Sequence, residues 1–169
     1  SNQQEDQQLL NDLATSSKDR AENMMIVDLV RNDLGRTATL CGVQANPIFQ
    51  VESFRTVHQL VSTIRAQLKS NVSVVDTVKA AFPGGSMTGA PKVRTMQIID
   101  RIEKGPRGIY SGAIGYFSLN QTVDFSIVIR TLVVKDRKVS IGTGGAIIAL
   151  SDPYSELEEI ALKCRALLE

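Results

Sequence analysis

The chain has 169 residues, 43% hydrophobic and 22% charged, the make-up of one ordinary soluble domain. A domain of this size hides about 68–70% of the surface of its unfolded chain, so folding needs no disulfide or metal staple, and a metal here would be functional. Nineteen Lys and Arg against 18 Asp and Glu leave a formal charge of +1, and the aromatic residues are five Phe and three Tyr with no Trp, which argues against a nucleic acid partner.

No apolar run approaches the roughly 18 residues of a membrane span, and the Gln-rich start does not read as a signal peptide, so no membrane association and a cytoplasmic location are expected. Cys41 and Cys164 lie far apart without CxxC spacing and are expected to be buried thiols.

From about Gln4 to Leu34 the pattern is helical, as two helices meeting near Ser16 and Ser17, with Met24, Met25, Val27, Leu29 and Val30 as the apolar face and Gly35 as a stop. Thr37 to Leu68 turns β-rich, including Ile48 to Phe54 and Val57 to Ile64. A helix near Val72 to Phe82 leads into the breaker Pro83-Gly84-Gly85, and another runs from Pro91 to about Glu103. Tyr110 to Leu119, Thr122 to Lys135 and Lys138 to Leu150 read as three strands of an antiparallel meander. The last helix opens on Asp152 as N-cap and Pro153 at the first position and runs to Leu168, with Leu157, Ile160, Ala161, Cys164 and Leu167 on one side. The layout is α+β, a mostly antiparallel sheet flanked by helices.

Several residues are candidates for chemistry, each with a structural alternative. Glu22 reads either as a solvated helix glutamate or as a carboxylate facing a cleft. Glu156, Glu159 and Lys163 fall on one helix face, so Glu159 and Lys163 form a surface ion pair or, alternatively, Glu156 and Glu159 meet Glu22 as oxygen ligands of a Mg²⁺ site. Pro83 to Lys92 has the glycine spacing of a phosphate loop but lacks the lysine and hydroxyl that must follow; it remains a structural turn or an anion-favouring helix start. Gly142-Thr-Gly-Gly-Ala146 falls within a predicted strand, where glycine marks a bulge or a close approach of backbone to ligand. Arg130, alternating with Val128 and Leu132, reads as a buried arginine that needs an anion, from either a structural ion pair or a carboxylate ligand. The lone His58 is a core histidine or an acid–base group.

Together the segments resemble the chorismate-utilising enzymes, which include anthranilate, aminodeoxychorismate, isochorismate and salicylate synthases. The resemblance covers Lys18 to Leu168 and rests on Glu22-Asn…Val27-Asp-Leu-Val-Arg-Asn-Asp33, Ser86-Met-Thr-Gly-Ala-Pro-Lys92, Tyr110-Ser-Gly-Ala-Ile-Gly-Tyr116, Ile127-Val-Ile-Arg130 and Ser151-Asp-Pro…Glu156…Glu159…Lys163. Within the family, Lys18-Asp-Arg-Ala-Glu-Asn23 and Pro83 to Lys92 look most like the aminodeoxychorismate branch, which makes the p-aminobenzoate precursor of folate. The resemblance implies part of a two-sheet chorismate-binding sandwich, with Glu22 and Glu159 holding Mg²⁺ and Glu156 helping through water. It further implies that Tyr110, Arg130 and the backbone at Gly144 and Gly145 receive the enolpyruvyl carboxylate. Ser86 and Lys163 would line the site with His58 close to the ring, and a glutamine amidotransferase subunit or domain would supply ammonia.

Ala146 stands where the family usually has a third glycine. A family segment reading Pro-Ile-Lys-Gly-Thr or Pro-Ile-Ala-Gly-Thr, which separates the aminodeoxychorismate from the anthranilate branch, is not in this sequence. Residues 1–169 are therefore expected to be the C-terminal portion of a chorismate-binding catalytic domain, with little or no turnover alone. An anthranilate synthase is the nearest alternative. A non-catalytic partner-binding module, marked by an exposed apolar sheet face, is the alternative from another class.

Overall fold

One serine separates the first two helices. In the computed structural model, which describes residues 2–165, α1 spans Gln3–Thr15 and α2 spans Ser17–Gly35. The Ser16 hydroxyl accepts the Asp19 amide at 3.2 Å, so a residue outside both helices supplies the cap that starts the second. The chain divides into two units, Ser1–Gly85 and Ser86–Glu169.

In the first unit, β1 (Ala38–Ala45) pairs antiparallel with β4 (Ile64–Leu68), and β2 (Gln50–Ser53) pairs with β3 (His58–Val61) as a hairpin between them in sequence. Helix α2 packs on β1, β3 and β4 and on α3 (Val74–Ala81), burying Val27, Ala38 and Ala80. Asn23 fixes its position. The side-chain amide donates to the Leu60 carbonyl at 3.0 Å and its oxygen accepts the Ser62 hydroxyl at 2.5 Å, while that hydroxyl accepts the Phe49 amide at 3.0 Å. One turn earlier on α2, the Arg20 guanidinium lies 4.2 Å over the Phe49 ring.

In the second unit, the short α4 (Gly85–Thr88) leads across the Gly89–Pro91 turn to α5 (Lys92–Ile102). Strands β5 (Ala113–Phe117) and β6 (Val123–Ile127) form one hairpin, and β7 (Leu132–Lys135) and β8 (Lys138–Ile141) a second. Helix α6 (Pro153–Arg165) closes the described chain. The α+β, antiparallel character agrees with the sequence expectation, but the three-strand meander does not. Its middle strand breaks at residues 128–131, where Arg130 takes φ 47°, and its last strand ends at Ile141, leaving 142–150 without regular structure. β-propensity in Val128 to Thr131 is overridden because a left-handed residue cannot continue a ladder.

Both cysteine expectations are corrected: Cys41 is exposed and Cys164 half-buried. Val134 and Val139 face each other across the second hairpin and are 71% and 62% exposed, the kind of apolar surface expected of a partner-binding module. No helix among the described residues is long and apolar enough to cross a membrane. Asp152 caps α6 as expected, accepting the Ser155 amide and hydroxyl at 2.9 Å each; Leu167 and Leu168 lie outside the described residues.

Helix α3 begins on a reciprocal cap. The Ser73 hydroxyl accepts the Asp76 amide at 3.1 Å, and the Asp76 carboxylate accepts the Ser73 amide at 3.1 Å and its hydroxyl at 2.6 Å. These bonds hold the Asp76 carboxyl below its ordinary value. Ser73→Ala is expected to cost about 1 kcal/mol in urea unfolding at neutral pH. Because the folded carboxyl is depressed, the part of the advantage carried by the hydroxyl's bond to the carboxylate should be full above the ordinary Asp range and fade as pH falls through the lowered value, leaving the hydroxyl's cap on the Asp76 amide.

Candidate active site

A cavity of about 420 Å³ opens in the second unit, lined by α4, the segment after α5, the break between β6 and β7, the glycine run after β8, and α6. It gathers every predicted site residue of this unit except the α6 glutamates: Ser86, Tyr110, Arg130, Gly144, Gly145 and Lys163. Glu22 and His58 belong to the first unit.

The cavity's charges are arranged in pairs, with one left over. Arg107 holds Glu103 in a two-point fork, Nε to Oε2 at 2.8 Å and Nη2 to Oε1 at 2.6 Å. That contact depresses the Glu103 carboxyl and raises the Arg107 guanidinium. Lys163 pairs with Glu159 at 2.6 Å and donates to the Gly144 carbonyl at 3.3 Å, so the helix ion pair exists and its lysine lines the cavity. Arg130 has no carboxylate within ion-pair reach among the described residues. The expectation of a buried Arg130 is corrected: the residue is exposed at the strand break, because its left-handed backbone removes it from the alternation with Val128, which is buried, and Leu132, which is exposed.

The glycine run makes room for side chains of this chain. A Cβ on Gly142 would overlap the Tyr110 ring, 2.6 Å from Cδ2, and one on Gly144 would sit 3.0 Å from the Tyr110 hydroxyl. Tyr110 thus lies across the run with its hydroxyl beside Gly144. At Gly145 a Cβ would meet the Glu156 carboxylate at 3.1 Å, which explains how a glutamate only 3% exposed is accommodated. The sequence reading took these glycines as a bulge or a close approach of backbone to ligand; at Gly142 the close neighbour is Tyr110.

In the first unit, His58 opens β3 as expected and is held at both ring nitrogens, with Ser53 Oγ 2.8 Å from Nδ1 and Asp6 Oδ1 3.1 Å from Nε2. Glu22 is partly buried on α2, with Lys18 at 3.8 Å. Among the described residues no group of three or more His, Cys, Asp or Glu is gathered to hold a metal. Glu156 and Glu159, one turn apart on α6, offer two hard oxygen donors, a number Mg²⁺ accepts when substrate and water complete its shell.

Sequence reading missed Arg107, Glu103 and Ser111. The available signal was Arg107 three residues before the Tyr110 motif and four after Glu103, but helix spacing misleads because α5 ends at Ile102. Gly142→Ala should displace the Tyr110 ring and lower stability by about 1–3 kcal/mol, as overpacking does, whereas Gly105→Ala, which meets nothing, should be near neutral in the same urea titration.

The family model for chorismate binding enzymes matches residues 1–169. The chain is 65% identical over 165 residues to the aminodeoxychorismate synthase of Streptomyces griseus, covering 98% of this chain and 23% of that protein. It is 48% identical over 166 residues to aminodeoxychorismate synthase component 1 of Escherichia coli strain K12, covering 98% of this chain and 37% of that one. The crystal structure of anthranilate synthase component I from Streptococcus pneumoniae TIGR4 matches with a TM-score of 0.89 at 37% identity, over 98% of this chain and 38% of that chain. The chain therefore spans well under half the length of each of these relatives. With the family model matched from the first residue to the last, it belongs to the chorismate binding enzyme family.

Proposed function

We propose that this chain supplies the substrate-carboxylate clamp of an aminodeoxychorismate synthase, which replaces the C4 hydroxyl of chorismate with ammonia to give 4-amino-4-deoxychorismate. The observation that carries the reading is Arg130, a cation in a 420 Å³ cavity whose fellow lining cations, Arg107 and Lys163, each have a carboxylate. A free guanidinium matches a carboxylate in two-point contact. The Tyr110 hydroxyl beside Gly144 gives that carboxylate a neutral donor, and the Ser86 hydroxyl borders the same space. The choice of the amino branch rests on the 65% and 48% identities to relatives named aminodeoxychorismate synthase. The 37% identity to an anthranilate synthase keeps that enzyme as the second reading.

As the resemblance implies, Glu22 and Glu159 would hold Mg²⁺ with Glu156 helping through water, a reading supported by the two α6 carboxylates standing one turn apart. When bound, the ion would orient the ring carboxylate and stabilise charge as the hydroxyl departs. Lys163, held by Glu159 and the Gly144 carbonyl, would line the substrate space with its ammonium. His58 is the proposed acid–base group, its ring oriented by Ser53 and Asp6. A glutamine amidotransferase partner is the proposed source of ammonia, and the cytoplasm the proposed location.

Calorimetric titration with chorismate, with and without Mg²⁺, tests the reading. Binding should require or gain from Mg²⁺, and Glu159→Gln should abolish that gain, a loss of about 1.5–3 kcal/mol or tenfold and more in affinity, as for a charged contact. Absence of binding in both conditions would contradict the placement of the clamp in this chain.

A further inference from the structure

A guanidinium carries five N–H donors, so how many its own chain occupies decides whether it can receive a substrate. Arg130 spends none on a carboxylate among the described residues, whereas Arg107 spends four. Its Nε and Nη2 grip Glu103, and its Nη1 donates to the Met87 carbonyl at 2.8 Å and to the Ser111 hydroxyl at 2.9 Å. Its carbon lies 6.0 Å from the centre of the Tyr110 ring.

These four bonds join segments with little regular structure to hold them. Met87 sits in a helix of four residues, one position after Ser86. Ser111 follows Tyr110, is buried at 9% exposure, and is held in the left-handed region at φ 64°, a conformation unfavourable for a residue with a Cβ and so in need of outside support. Its amide reaches the Val128 carbonyl at 3.0 Å, just beyond the β5–β6 ladder. One planar fork therefore spans the Ser86–Met87 turn and the Tyr110–Ser111 turn, both of which present a side chain to the cavity.

We infer that Arg107 is a positioning residue, which sets Ser86 and Tyr110 relative to one another for the substrate and does not itself receive it. The inference rests on the proposed function for the identity of the substrate, but the tie itself is a property of the ligand-free chain. Lysine keeps the charge at this position and loses the fork, since one ammonium cannot serve a carboxylate edge, a carbonyl and a hydroxyl in this planar arrangement.

Two measurements on the full chain test it. In hydrogen exchange without ligand, Arg107→Lys should accelerate the amides of residues 86–89 and 109–112 together, by about tenfold or more for loss of charged hydrogen bonds, with β7–β8 unchanged. Ser111→Ala, which removes one bond and leaves the Glu103 fork, should show a smaller version of the same pattern and serves should the lysine variant fail to fold. Acceleration of one segment alone, or of neither, overturns the tie.

In chorismate titration, Arg107→Lys and Tyr110→Phe should be non-additive, the double variant binding no more weakly than the weaker single. Purely structural damage or direct contact of Arg107 with the substrate gives additive losses and overturns the inference. Failure of the wild type to bind chorismate would sink the proposed function, and the exchange result alone would still decide the tie.

Discussion

An arginine facing a cavity closes onto the nearest carboxylate unless that carboxylate is already engaged. Glu103 is the one carboxylate among the described lining residues, and the Arg107 fork engages both of its oxygens; Glu159, which is not among the lining residues, is engaged by Lys163. The charge on Arg130 is what these two pairings leave over. A pocket that balanced all its charges internally would hold an anion weakly, because each contact would first have to break an ion pair. Here the two pairs are separate from Arg130, so in its proposed role an arriving carboxylate would have no ion pair to break.

The backbone is shaped to the same end. Arg130 and Ser111 both take left-handed φ, a conformation unfavourable for residues with a Cβ, and both sit where the β5–β6 ladder runs out. Strain of this kind persists where the surroundings over-determine it, and here the determinants are visible: the Ser111–Val128 and Val128–Gly112 backbone bonds on one side and the Arg107–Ser111 bond on the other. The glycines after β8 supply the remaining space, Gly142 and Gly144 for the Tyr110 ring and hydroxyl, Gly145 for the buried Glu156. Chemistry and packing use the same absent side chains.

The first helices, the hairpin region and the last helix were legible in the sequence because their signals are local. Ser16 as a break between helices, Asp152-Pro153 as a helix start and the β-rich runs Ile48 to Phe54 and Val57 to Ile64 each depend on a few neighbouring residues. The break at Val128 to Thr131 was not legible, since a β-branched and apolar run reads as strand and the left-handed backbone of Arg130 leaves no mark in the residue pattern. The site residues Tyr110, Arg130, Gly144, Ser86 and Lys163 were found through family motifs, and the cavity gathers them. Arg107 escaped notice because its importance lies in three partners, Glu103, Met87 and Ser111, one of them twenty residues away and contributing only a carbonyl.

The central claim is a division of labour between two arginines in one cavity, and nitrogen-detected NMR of arginine side chains observes it directly. In the free chain the Arg107 Nε–H should already be protected from exchange and the Arg130 Nε–H should exchange rapidly. Saturating chorismate should shift and protect the Arg130 resonance and leave that of Arg107 nearly unmoved. A large shift confined to Arg107, with Arg130 unchanged at saturation, would contradict the account.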